Sequence, residues 1–251
     1  METHDRLWLP PPTNLTLADD EVHVWQANLE LTPAQVQHLR GVLAADELAR
    51  GDRFHFEKDR QHFIAGRGML RTILGRYLSV APDHLRFYYN RYGKPFLAAE
   101  SDHQRLNFNL SHSAGLALYA VTRNREIGID LERIRANFEY EALAERFFSP
   151  REVAVLRTIP AEMKLEAFFN CWTRKEAYIK AHGKGLSLPL DSFDVSLAPG
   201  EPVTLLATRD EPQEASLWTL AALMPGRGYV AGLAVRGGNW RYQSWQWDEQ
   251  L

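Results

Sequence analysis

From Val22 the chain alternates, Val22 and Val24 on one side and His23 and Trp25 on the other, which is the period of a strand. Thr32-Pro33 then offers an N-cap and a first-turn proline, and Val36, Leu39, Val42 and Leu43 continue the helix that they predict. A longer helix is predicted from Glu57 to Leu78, with Phe63, Leu70, Leu74 and Tyr77 at helical spacing. Gly66 and Gly68 sit inside it. Each costs a helix about 1 kcal/mol relative to Ala, which points to close packing or to the close approach of a ligand. Strands are predicted from Leu85 to Tyr89, Leu106 to Leu110 and Leu116 to Thr122, with a loop at 90–95. The segment from Ile127 to Glu132 alternates strictly, Ile127, Ile129 and Leu131 against Gly128, Asp130 and Glu132, so two acids share a face. Helices are predicted from Tyr140 to Phe147 and from Pro150 to Leu156, and a third opens at Ala161. A strand from Phe193 to Leu197 follows. Leu217 to Leu223, Tyr229 to Val235 and Trp240 to Trp247 read as antiparallel strands.

The pattern divides the chain into a polar, Pro-rich arm at 1–20, mobile or draped, a first half at 21–123 and a second at 124–251. Arg53-Phe54, a long helix and Gly93-Lys94 are echoed by Arg146-Phe147, a long helix and Gly183-Lys184, a hint of duplicated α+β halves. In the third helix, Leu165, Phe168, Phe169, Trp172 and Ile179 form an apolar stripe with Glu176 near its middle and Lys180 at its edge. A buried carboxylate has to be paired, protonated or bound to a metal. Either Glu176 makes an ordinary i,i+4 pair with Lys180 or it serves a site, and the helix alone does not choose.

Composition narrows the setting. With 251 residues, 45% of them hydrophobic, the chain suits one large domain or two packed halves, and its net charge of −3 gives no overall attraction to nucleic acid or an anionic membrane. The single cysteine, Cys171, excludes an internal disulfide and a thiolate zinc cluster, which fits the cytoplasm. No apolar run approaches a membrane span, and the N-terminus lacks the pattern of a signal peptide.

Local charge does change the picture. Between Arg50 and Lys94 ten basic residues face four acids, suited to a phosphate-rich ligand or to a solvated helix face. Asp130 and Glu132 lie roughly 7 Å apart along their strand. They form either the solvated face of a half-buried strand or, with Glu176, a set of hard oxygen ligands for Mg²⁺, with Mn²⁺ an equally compatible ion. Ser111-His112 has no G-x-S-x-G context for a hydrolase and is better suited to gripping a phosphate. Neither a P-loop nor a dinucleotide fingerprint is present.

Gly128-Ile129-Asp130-Leu131-Glu132, Trp172-Thr173-Arg174-Lys175-Glu176-Ala177 with Lys180, and Gly183-Lys184-Gly185-Leu186 occur in the order found in a known family. So do Tyr92-Gly93-Lys94-Pro95, Asn109-Leu110-Ser111-His112-Ser113 and Arg146-Phe147-Phe148-Ser149. The sequence resembles the 4′-phosphopantetheinyl transferases of the surfactin-synthetase-activating (Sfp-like) class. The resemblance implies an α+β fold of two pseudo-symmetric α/β lobes in one chain, a monomer, with coenzyme A in the cleft between them. It implies that Asp130, Glu132 and Glu176 hold Mg²⁺ at the pyrophosphate. Arg53, Lys94, Ser111 and His112 would bind coenzyme A, with Lys180 against the pyrophosphate. Glu176 would take the proton of a carrier-protein serine. Phe138 and Tyr140, with Leu143 and Phe147, would meet an apo acyl or peptidyl carrier protein, although a short helix packing on its own core fits Leu143 and Phe147 as well. Phe63 and Glu47 depart from the family pattern where relatives offer a small hydroxyl and a base. The alternatives are a non-catalytic coenzyme A or nucleotide-binding module of the same fold, and a purely structural or interaction module.

Overall fold

A computed structural model describes residues 8–98 and 105–248; residues 1–7 of the expected arm lie outside them. In chain order the elements are β1 (Glu21–Asn28), α1 (Pro33–Arg40), α2 (Ala45–Gly51), α3 (Glu57–Leu78), β2 (Phe87–Tyr89), β3 (Pro95–Leu97), β4 (Leu106–Ser113) and β5 (Leu116–Arg123). They continue as β6 (Ile127–Arg133), α4 (Glu141–Phe147), α5 (Pro150–Thr158), α6 (Ala161–His182), β7 (Phe193–Val195), β8 (Leu205–Thr208), β9 (Trp218–Leu223), β10 (Tyr229–Arg236) and β11 (Arg241–Gln246). Two main sheets result, β11-β1-β5-β4 and β6-β10-β9, with small hairpins β2-β3 and β7-β8 at the periphery.

Thr32 closes a capping box with Gln35 at the start of α1. The helix stops at Arg40 instead of running through Leu43, as the amide of Gly41 closes back on Gln37 and His38. The unforeseen α2 follows, its start tied by Glu47 Oε2, which accepts the Ala44 amide at 3.0 Å. Close packing explains Gly68: a β-carbon there would lie 2.7 Å from Leu39 Cβ, so α1 sits against α3.

The last strand is the main departure from the sequence reading. β11 pairs parallel to β1, Glu21 to Gln26 opposite Arg241 to Gln246, and so joins the first sheet instead of continuing the antiparallel run of β9 and β10. Alternation of side chains carries no information about strand direction, which is set by the connection. The arm is draped on this strand: Leu9 bridges Trp245, and Trp8 Nε1 donates to the Met224 carbonyl at 3.0 Å.

The two sheets pack through one apolar face each. Val22, Val24, Leu118 and Ala120 of the first meet Ile127, Ile129, Leu131, Leu233 and Val235 of the second. On the outer face of the first sheet, Trp25, Ala27 and Tyr119 pack against Met69, Leu70 and Ile73 of α3. On the second, α6 comes far closer. A β-carbon at Gly128 would lie 2.0 Å from the Ala177 carbonyl oxygen, and one at Gly232 would lie 2.6 Å from that of Thr173. Both long helices have 22 residues, but among the described residues it is α6 that rests on the bare backbone of its sheet, at Gly128 and Gly232. That close approach positions the site.

Candidate active site

The carboxylates of β6 project from the face that α6 covers. Asp130 is only 4% exposed, so it is not the solvated face of a half-buried strand. Its Oδ1 accepts from Lys180 Nζ at 2.6 Å and from Ser111 Oγ at 2.9 Å, and Lys180 Nζ also donates to Ser111 Oγ at 3.0 Å. Its Oδ2 is buried with no hydrogen-bond partner among the described residues, an arrangement that calls for an external donor or cation. The ordinary i,i+4 pair of Glu176 with Lys180 does not form: Lys180 turns to Asp130, across the lobe, and leaves Glu176 without a hydrogen-bond partner among the described residues.

The electrostatics follow from this crowding. Burial, then the neighbouring Asp130 charge, push the Glu176 carboxyl above its ordinary value, Lys180 opposing them. Glu132 is raised by burial and by Asp130, opposed first by the hydrogen bond from Ser113. Three carboxylates share one lysine, so negative charge is in surplus. Among the described residues no three His, Cys, Asp or Glu side chains are drawn together closely enough to enclose a metal ion. The Lys180 ammonium instead lies against Asp130. The donor chemistry nonetheless fits a hard divalent cation: all three candidates offer oxygen only, and one buried oxygen has no hydrogen-bond partner among the described residues.

The remaining predicted residues fall into distinct settings. Ser111 is buried and committed to Asp130 and Lys180. His112 is exposed at the surface; desolvation, then the Lys180 and His62 charges, hold its imidazole below the usual value. Arg53 is exposed and in no ion pair among the described residues. Lys94, expected at a phosphate, points to backbone carbonyls in this structure. Its ammonium donates to the carbonyls of Ala181 at 2.7 Å and Ile127 at 3.2 Å, bracing the β2-β3 loop against the end of α6. Burial brings it down to about 8. Lys94, Asn109, Leu110, Glu176, Ile179 and Lys180 line a cavity of about 230 Å³ in the cleft.

Phe138 and Tyr140, expected on a carrier-facing surface, are half-buried against α6. Their rings lie 5.3 Å from Phe169 and 5.7 Å from Phe168, respectively. The packing on the protein's own core that suited Leu143 and Phe147 therefore extends to them. The basic segment also thins out. Glu47 is buried and receives Arg67 Nε at 2.6 Å and Arg71 Nε at 2.5 Å, so two of its arginines are neutralised internally. Phe63, the other departure, lies tilted against Phe54, ring centroids 5.3 Å apart, with its ring under the Arg50 guanidinium.

Sequence reasoning missed the scaffold beside Glu176. Lys175 is fully buried and pairs with Glu152 at 2.8 Å, while donating to the Leu190 and Phe193 carbonyls, each at 2.6 Å. Arg174 donates to the Ser196 carbonyl at 2.6 Å. In Arg174-Lys175-Glu176 only the glutamate faces the cleft. The spacing Ser149-Pro150-Arg151-Glu152 was a legible capping box, and Glu152 does close it; its second role toward Lys175 was not visible locally.

Fold and site together define an α+β protein of two packed lobes with a cluster of acids and one lysine at their seam. Residues 126–234 match the model of the 4′-phosphopantetheinyl transferase superfamily, and residues 27–124 match that of the 4′-phosphopantetheinyl transferase N-terminal region. The 4′-phosphopantetheinyl transferase HetI of Nostoc sp. is 47% identical across 96% of this chain and 98% of its own length. The 4′-phosphopantetheinyl transferase Sfp of Bacillus subtilis is 31% identical across 66% of this chain and 72% of its own. The holo-[acyl-carrier-protein] synthase of Thermotoga maritima superposes on 45% of this chain and 62% of its own with a TM-score of 0.36 at 19% identity. The chain belongs to the 4′-phosphopantetheinyl transferase family.

Proposed function

We infer that the protein transfers the 4′-phosphopantetheine group of coenzyme A to a serine of an apo acyl or peptidyl carrier protein, releasing adenosine 3′,5′-bisphosphate. The observation that carries this reading is the Asp130 carboxylate, pinned through one oxygen by Lys180 and Ser111, with its other oxygen buried and without a hydrogen-bond partner among the described residues. Asp130, Glu132 and Glu176 would hold Mg²⁺, or Mn²⁺, which when bound offsets charge on the pyrophosphate of the substrate.

The chain's own residues account for the rest. Lys180 stands at the acid cluster and in the cleft cavity, where its ammonium can meet the phosphate that leaves. The serine oxygen forms the new bond to the β-phosphorus, the bond from that phosphorus to the bridging oxygen breaks, and its electrons go to the departing bisphosphate. Glu176 takes the serine proton. Its carboxyl, raised by burial and by Asp130, is a better proton acceptor than an exposed glutamate. His112 and Arg53, open to solvent on the first lobe, are assigned to the 3′-phosphate. Ser111 and Lys94 act one step back, holding the acid cluster and the cleft loop.

Kinship with the Sfp-like class is supported by the 31% identity with Sfp. A monomer is supported by the lobes packing on each other within one chain. No helix among the described residues is long and apolar enough to cross a membrane, and the single, buried, free Cys171 is consistent with a cytoplasmic protein. No observation favours a non-catalytic module, since every acid of the cluster and Lys180 are in place. The test is to incubate the protein with coenzyme A, Mg²⁺ and an apo carrier protein and weigh the carrier. A gain of one phosphopantetheine supports the reading, and binding of coenzyme A with no change in carrier mass refutes it.

A further inference from the structure

The edge strands β4 and β6 of the two sheets run alongside each other, and their pairing is made by side chains. Asn109 Oδ1 accepts the Ile129 amide at 2.9 Å. Two residues on, Ser111 Oγ donates to Asp130. Two further on, Ser113 Oγ accepts the Arg133 amide at 3.1 Å and lies 3.0 Å from Glu132 Oε2. Residues at period two on β4 thus answer in turn to β6, and they lock the register between the lobes.

Ser113 differs from the other two. Its oxygen is engaged by a backbone N–H, so its own proton is directed at the Glu132 carboxylate, and that is the one hydrogen bond Glu132 receives from the described residues. Its place is fixed from outside the acid cluster. Ala114 and Gly115, which follow it, have φ of 45° and 83° and make the tight turn into β5. The Tyr229 hydroxyl donates to the Ala114 carbonyl at 2.9 Å, tying that turn to the second lobe. A glutamate with no donor on either oxygen would be free to rotate away from Asp130; one held by a fixed hydroxyl is presented to whatever Asp130 binds.

We propose that Ser113 is a positioning residue of the acid cluster, which sets the Glu132 carboxylate for cation binding through a hydrogen bond delivered across the seam between the lobes. The inference rests on the reading that Asp130, Glu132 and Glu176 hold the cation. Residues that orient a metal ligand typically change metal affinity by about 10–100-fold when removed, and Ser113 belongs at the lower end because it touches only one of three ligands.

The test is Mn²⁺ binding by the intact protein, followed by electron paramagnetic resonance, in Ser113→Ala, Ser113→Thr and Glu132→Gln, with metal-free coenzyme A binding measured alongside. Ser113→Ala is expected to weaken Mn²⁺ binding about 10-fold and leave metal-free coenzyme A binding unchanged, with Ser113→Thr near the parent because the hydroxyl is retained. Weaker Mn²⁺ binding in Glu132→Gln with none in Ser113→Ala overturns the positioning role and spares the cation site. Unchanged Mn²⁺ binding in both overturns the cation site itself and this inference with it. Equal loss of Mn²⁺ and metal-free coenzyme A binding in Ser113→Ala shows a merely structural hydroxyl and overturns the proposal, as does a loss in Ser113→Thr equal to that in Ser113→Ala.

Discussion

A β-carbon on Gly128 would stand 2.0 Å from the carbonyl oxygen of Ala177, so α6 lies directly on the backbone of β6. The obstacle is helix backbone, which cannot move aside as a flexible side chain can. Overpacking of cores usually costs about 1–3 kcal/mol, and Gly128→Ala is expected to exceed that range and to lower the thermal midpoint markedly or prevent folding. Gly238→Ala, where nothing lies within 4 Å, should stay within about 0.5 kcal/mol of the parent. Thermal unfolding of the two variants side by side checks the contrast.

Glu176 and Lys175 are neighbours with opposite kinds of importance. Glu176→Gln removes a carboxyl that burial and Asp130 already disfavour, so the protein should fold at least as stably as the parent. Transfer to the carrier should fall by about 100-fold or more as the proton acceptor disappears. Lys180→Ala should lose transfer as well. Mass spectrometry of the carrier, paired with a melting curve, separates loss of chemistry from loss of fold.

Lys175→Met should fail for the other reason. It leaves Glu152, 1% exposed, with no cation, and breaking a buried pair in this way costs about 3–5 kcal/mol. Adding Glu152→Gln to Lys175→Met should recover part of that loss. Denaturant titrations of the single and double variants measure it.

His23 makes the fold sensitive to acid. Burial lowers its imidazole from 6.5 to about 4, and its Nδ1 lies 2.6 Å from the Tyr77 hydroxyl. The unfolded chain binds this proton below its ordinary value while the folded chain does not, so the contribution is present in full above pH 6.5 and is lost as pH falls toward 4. The depression is worth about 3 kcal/mol. His23→Gln should flatten stability against pH in that window, read from denaturant midpoints.

The acid cluster has the reverse sign. Glu132 and Glu176 have carboxyls raised above the ordinary 4.5, so the folded protein holds those protons longer than the unfolded chain. Their contribution is favourable at low pH and declines as pH rises from about 4.5 through the folded values. Mg²⁺ added above that window should raise the thermal midpoint, and Glu176→Gln should blunt the gain.

Much of this was legible in the sequence. The bounds of α3 were, because apolar spacing is local. Asp130, Glu132, Glu176 and Lys180 stood out because acids on a regular strand face and in an apolar helical stripe break a local pattern. The turn of Lys180 to Asp130, the bracing role of Lys94 and the neutralising of Arg67 and Arg71 by Glu47 were not legible, since each joins residues 20 to 87 positions apart. The parallel placement of β11 was hidden for the same reason, because strand direction belongs to a connection and a partner.

By itself, then, the sequence determined the helices other than α2, most strands, the candidate acids and the family that their order resembles, since these depend on periodicity and residue chemistry within short windows. The tertiary structure alone decided which carboxylate the lysine holds, which oxygen is left without a partner, and that Ser113 reaches Glu132 from the opposite lobe. Those outcomes follow from how closely α6 can settle on Gly128 and Gly232 and from the register between β4 and β6. Both are distances between segments remote in the chain, and no local pattern encodes them.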